Sequence, residues 1–154
     1  MKPKFMLIDD SIIDLYINEK NIEKLEIDSD VTSYSNGISA LEFFKKLDDK
    51  NNKQNGTIPD IILLDINMPK MNGFQFSNAF KKLDIAKEKN IQIFMLSASN
   101  NSKFIADAKS GKYCHGFIEK PLNTAKLNSI LKTIRPYLNE DDFKGNEVNQ
   151  EVIR

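Results

Sequence analysis

Four places in the chain set a charged or hydroxyl side chain directly after a short apolar run. Asp9-Asp10 follows Lys4–Ile8, Asp65 follows Ile61–Leu64, Ser97 follows Ile91–Leu96, and Lys120 closes the run that starts at Gly116–Ile118. If those runs are neighbouring strands of one sheet, three carboxylates converge. Two carboxylates about 4 Å apart repel by roughly 4 kcal/mol at an effective dielectric near 20, so a raised pKa or added positive charge must offset them. A divalent, oxygen-seeking cation supplies that charge. Magnesium prefers six oxygens, keeps several waters, and typically takes a couple of protein carboxylates plus a phosphate oxygen. Lys120 adds a second positive point suited to a phosphoryl oxygen, and Ser97 offers a hydroxyl. A carboxylate can attack phosphorus to give an acyl phosphate, while the other groups orient the phosphoryl and stabilise its transition-state charge.

Taken singly, these residues have plainer explanations. An Asp pair after a strand often caps a helix, a strand-end serine is commonly satisfied by backbone, and a lysine before proline can be a solvated surface residue. Asp65 resists such a reading, because an unpaired carboxylate at the end of a buried strand is costly. All four at the strand ends of one sheet single out a site for phosphoryl transfer.

The elements that must position them alternate between two periodicities. Short runs at Lys4–Ile8, Ile61–Leu64 and Ile91–Leu96, with weaker ones at Val31–Tyr34 and Gly116–Ile118, predict buried strands. Between them apolar residues recur at three- and four-residue spacing: Ile12, Ile13, Tyr16, Ile17, Ile22 and Leu25; Ile38, Leu41, Phe44 and Leu47; Phe76, Phe80 and Leu83; Leu127, Ile130, Leu131 and Ile134. Ser11 followed by Asp14, and Thr124 after Asn123, mark helix starts, Pro136 is expected to end or kink the last helix, and Ser102–Ser110 gives a weaker helical pattern. Five strand–helix repeats imply a parallel sheet covered on both faces, with right-handed crossovers and ligands at the carboxyl ends of the strands.

Composition narrows the function class. The 154 residues carry 22 Lys+Arg and 22 Asp+Glu, with 40% hydrophobic and 29% charged residues. That is ordinary for a globular domain able to bury a core, and it excludes a disordered chain. Zero net charge argues against a general nucleic-acid binder, and no apolar run approaches a membrane span. One cysteine, Cys114, permits no internal disulfide. The expectation is a cytoplasmic domain over residues 1–138, followed at 139–154 by a loosely packed polar tail of five acids and two bases, with no output domain. Asp48–Thr57 (DDKNNKQNGT) reads as a loop.

The motifs LIDDS, LLDINMPKMNG, MLSAS and FIEKP, in that order and spacing, resemble the receiver domain of two-component response regulators over about residues 4–138. The resemblance implies an α/β, flavodoxin-like (βα)5 three-layer sandwich with strand order 2-1-3-4-5. It implies that Asp65 is the phosphoacceptor, that Asp10 binds Mg2+ (or another divalent cation) directly with Asp9 assisting, and that the backbone carbonyl of Asn67 completes the protein ligands. Ser97 would hydrogen-bond the phosphoryl group, Lys120 would pair with it, and the Lys120–Pro121 bond would be cis. Phe117 matches the aromatic of the family's switch, which turns inward as the hydroxyl moves; lacking a phenol, it must act by packing alone. Asn67 and Ser99 occupy places that tune phosphoryl lifetime. The implied donor is a sensor histidine kinase or a histidine phosphotransfer protein, docking near the first helix. Output would pass to an unknown protein at the face of the Ser102–Ser110 helix, the fifth strand and the last helix, from a monomer or weak dimer, with no nucleic-acid or membrane partner. In this reading the chain is a signalling domain and not an enzyme, beyond self-phosphorylation and autodephosphorylation.

Rival readings fare less well. An aspartate-nucleophile phosphohydrolase usually wants a second Asp two residues after the nucleophile as general acid, and Asn67 cannot protonate a leaving group. A phosphate-independent receiver-like interaction module would lack one of the acidic or lysine residues, and none is missing. A flavin-binding relative would meet repulsion at Asp9-Asp10, and an EF-hand fails because Lys70 takes the required glycine position. Cys114-His115, adjacent residues before a strand, read as ordinary loop or packing positions and not as a metal or nucleophile pair.

Overall fold

The structure, a computed structural model, describes residues 2–52, 56–98, 114–138 and 151–153. Its elements in chain order are β1 (Lys4–Ile8), α1 (Ile12–Glu23), β2 (Asp30–Tyr34), α2 (Gly37–Asp48), β3 (Ile61–Asp65), α3 (Gly73–Phe80), α4 (Asp84–Glu88), β4 (Gln92–Ser97), β5 (Gly116–Glu119), α5 (Thr124–Leu138) and β6 (Glu151–Ile153). The expected Ser102–Ser110 helix and Ser99 lie outside the described residues.

Every strand pair is parallel, in the order β2-β1-β3-β4-β5-β6. The first five follow the expected 2-1-3-4-5 arrangement. Alternation along the central strands divides the core into two layers. Met6, Ile8, Ile62, Leu64, Ile93, Met95 and Phe117 face α2 and α3, where Phe44, Phe76 and Phe80 pack ring to ring. Phe5, Leu7, Ile61, Leu63, Phe94, Leu96 and Ile118 face the other way, onto Ile22 of α1 and Leu127, Ile130 and Ile134 of α5. Each fully buried side chain of this size contributes about 1.5–3 kcal/mol, which holds the strand ends in fixed register.

Four features depart from the sequence reading. Only the C-terminal part of the α1 stripe faces the core: Ile22 is buried and Leu25 packs against the same layer, while Ile12, Ile13, Tyr16 and Ile17 are exposed and Asn18 is buried in their place. Pro136 does not end α5, which runs on to Leu138; a proline in the last turn forgoes one backbone bond while Ile134 stays anchored. The five-residue α4 was not anticipated. It is capped from outside, Asp48 Oδ2 and Oδ1 accepting from the N–H groups of Asp84 (2.9 Å) and Ile85 (2.7 Å). Finally, part of the tail expected to pack loosely forms β6, pairing Gly116 with Glu151 and Ile118 with Ile153. The outer edge of β5 offers unpaired backbone groups, and the β-branched Val152-Ile153 suits a strand. Among the described residues no helix is long and apolar enough to cross a membrane.

Candidate functional site

At the end of β1 the Asp9 N–H donates to the Tyr34 carbonyl at 3.1 Å, keeping the chain in the sheet one residue further. Asp9 is therefore buried, and its Oδ1 accepts from the Ser11 N–H at 2.9 Å. Asp10 stays exposed. Helix α1 begins at once, because the Ser11 hydroxyl caps it by accepting from the Asp14 N–H at 3.2 Å.

Asp65, the last residue of β3, lies opposite Leu96 and is 5% exposed. The loop after it folds back tightly: the Ile66 N–H donates to the Leu96 carbonyl (3.2 Å) and the Gly73 N–H to the Ile66 carbonyl (2.9 Å). Asn72 then starts α3 through a reciprocal capping box with Gln75.

Lys120 arrives from β5. Its N–H donates to the Ser97 carbonyl at 2.7 Å, and its bond to Pro121 is cis. Two side chains grip the chain on either side of Lys120. Asn21 Nδ2 donates to the Leu122 carbonyl (2.9 Å), and Lys126 Nζ donates to the carbonyls of Glu119 (2.6 Å) and Pro121 (2.9 Å).

These anchors bring one ammonium among several acids. Lys120 Nζ lies 3.1 Å from Asp9 Oδ2, 3.2 Å from Asp65 Oδ1 and 3.3 Å from Asp14 Oδ2. One oxygen each from Asp9, Asp10 and Asp65 falls within 4.8 Å of the others. Negative charge exceeds what one lysine offsets. Burial first, then the charges of Asp9 and Asp10, push the Asp65 carboxyl up to about 6 against the pull of Lys120. Burial works to lower the Lys120 pKa, but Asp65 and Asp9 outweigh it and hold the ammonium above its ordinary value. Three clustered carboxylate oxygens suit a hard divalent cation, so the residues present fit one.

The remaining expected residues sit around this cluster. Ser97 ends β4 and is buried. Asn67 is exposed, two residues beyond Asp65. Phe117 is buried opposite Met95 in the layer facing α2 and α3. Cys114 is buried in the core and His115 is half-buried beside it. Burial pushes the thiol up to about 12 and the imidazole down to about 4, and His115 Nδ1 accepts from the Ile93 N–H at 2.9 Å. The sequence reading missed Asp14, which it treated only as a helix-start residue. Its one signal was an acid in the first turn of a helix that starts directly after Asp9-Asp10.

Known proteins are similar to this chain. The chain is 30% identical over 129 residues to the chemotaxis protein CheY of Listeria monocytogenes, covering 84% of this chain and 95% of that protein. It is also 30% identical over 128 residues to the sensor histidine kinase CheAY of Helicobacter pylori, but spans only 14% of that longer protein and 82% of its own length. A two component response regulator from Cytophaga hutchinsonii has a similar solved structure, with a TM-score of 0.75 and 27% identity, covering 91% of this chain and all of that one. A family model of the response regulator receiver domain matches residues 5–132, and with an acidic cluster at the strand ends of a 2-1-3-4-5 parallel sheet the chain belongs to that family.

Proposed function

We propose that this receiver domain accepts a phosphoryl group on Asp65 from a histidine kinase or histidine phosphotransfer protein and thereby switches its protein contacts. The observation that carries the reading is the position of Asp65, within 3.2 Å of Lys120 and clustered with Asp9 and Asp10. An Asp65 carboxylate oxygen forms the new bond to phosphorus as the P–N bond to the donor imidazole breaks, the electron pair returning to that nitrogen. Asp9, Asp10, Asp65 and the Asn67 carbonyl would hold a magnesium ion, which when bound supplies positive charge to the phosphoryl oxygens. Lys120 pairs with the phosphoryl group and Ser97 donates its hydroxyl to it.

The donor's docking place is the outer face of α1, where Ile12, Ile13, Tyr16 and Ile17 stay exposed beside Asp10. An apolar helix face flanked by acids fits an amphipathic helical partner. In the switch, Ser97 moves to the phosphoryl group and Phe117 holds the inward position behind it, a population shift read by an output protein near β5 and α5. This work belongs in the cytoplasm. In acetyl phosphate and a divalent cation, the protein should gain one hydroxylamine-labile phosphoryl group, and Asp65→Asn should gain none. Undiminished labelling of that variant would reject the acceptor.

A further inference from the structure

The third carboxylate on Lys120 has no role in the reading above. An ammonium has three N–H donors, and here three acids take them: Asp9 Oδ2 at 3.1 Å, Asp65 Oδ1 at 3.2 Å and Asp14 Oδ2 at 3.3 Å. The lysine is therefore saturated. A phosphoryl group on Asp65 must compete with the remaining acids for Lys120.

The three acids differ in what release would cost. The Asp9 side chain is 2% exposed and already accepts from Ser11, so water cannot replace the ammonium there and only a bound divalent cation would. Asp65 carries the phosphoryl group itself. Asp14 stands in the first turn of α1 with a side chain 41% exposed, where water and the positive end of the helix both stabilise it once unpaired.

We infer that Asp14 is a positioning residue, the exchangeable partner that parks Lys120 in the unphosphorylated protein and yields it to the phosphoryl group. This inference rests on Asp65 being the acceptor. Asp14 thus competes with the phosphoryl for one cation and sets how readily the phosphorylated arrangement forms.

Beryllofluoride with Mg2+, a mimic of the bound phosphoryl, tests it. Asp14→Asn should bind the mimic about two- to fivefold more tightly than wild type, the range expected for a half-exposed ion pair. Asp14→Glu, which keeps the charge on a longer stem, should return to wild-type affinity. In the absence of ligand, a double-mutant cycle of Asp14→Asn with Lys120→Gln (or Lys120→Ala should the amide fail to fold) should show a coupled change of the same size in the unfolding constant. Additive effects in that cycle, or mimic affinity unchanged or weakened in Asp14→Asn, would overturn the exchange while wild-type binding persists. A wild type that binds no beryllofluoride overturns the acceptor reading as well.

Discussion

A methyl group at Gly73 would stand 2.8 Å from the Asp65 carbonyl oxygen and 3.0 Å from the Ile66 Cα. The first residue of α3 is thus pressed against the backbone that carries the central acid. No side chain has that space, and the crowding atoms are backbone, which cannot swing aside.

Gly73→Ala should therefore destabilise the fold by about 1–3 kcal/mol, the usual cost of overpacking, and should displace Asp65. Urea unfolding reads the first effect. A weaker divalent-ion affinity in the folded variant reads the second.

The Asp65 carboxyl gives a pH dependence of definite sign. With its pKa pushed up to about 6, the folded protein holds a proton between about pH 4 and 6 that the unfolded chain has lost. Stability from this group is present below about pH 4 and is lost as pH rises through 6. In divalent-free buffer at pH 7, Asp65→Asn should be more stable than wild type by about 1–3 kcal/mol. The advantage should shrink toward pH 4. Paired urea titrations at the two pH values check it, and equal stability at both would contradict the burial and crowding of charge inferred for Asp65.

Glu26 sits just past α1 with φ 54°, the left-handed conformation that costs a side-chain-bearing residue about 1–2 kcal/mol. It is exposed, so nothing else should change on substitution. Glu26→Gly should raise stability by about 0.5–1 kcal/mol after the extra freedom of an unfolded glycine is subtracted. A higher thermal midpoint with unchanged divalent affinity is the expected result.

How much of this was legible in the sequence follows from which interactions are local. Strands such as Lys4–Ile8 matched closely because buried parallel strands read as continuous apolar runs that stop where a polar residue meets the end of the sheet. The same rule marked Asp9, Asp65, Ser97 and Lys120 as strand-end residues. The direction in which α1 turns was not legible. Ile12, Ile13, Tyr16 and Ile17 have the spacing of a core stripe, yet the buried positions of the helix are Asn18 and Ile22. Periodicity reports that a helix has an apolar face, not whether that face meets the sheet or a partner. Other misses have partners far along the chain. Asp14 meets Lys120, Asp48 caps α4, and Glu151–Ile153 completes an edge laid down by β5. No local pattern announces such contacts.

The central claim is that one particular oxygen-bearing side chain takes the phosphoryl group. Borohydride reduction of an aspartyl phosphate converts that aspartate to homoserine, which peptide mass spectrometry locates. After treatment with acetyl phosphate and Mg2+, the account predicts homoserine at position 65. Homoserine at position 9, 10 or 14 instead, or none in a protein that still carries the label, would contradict it.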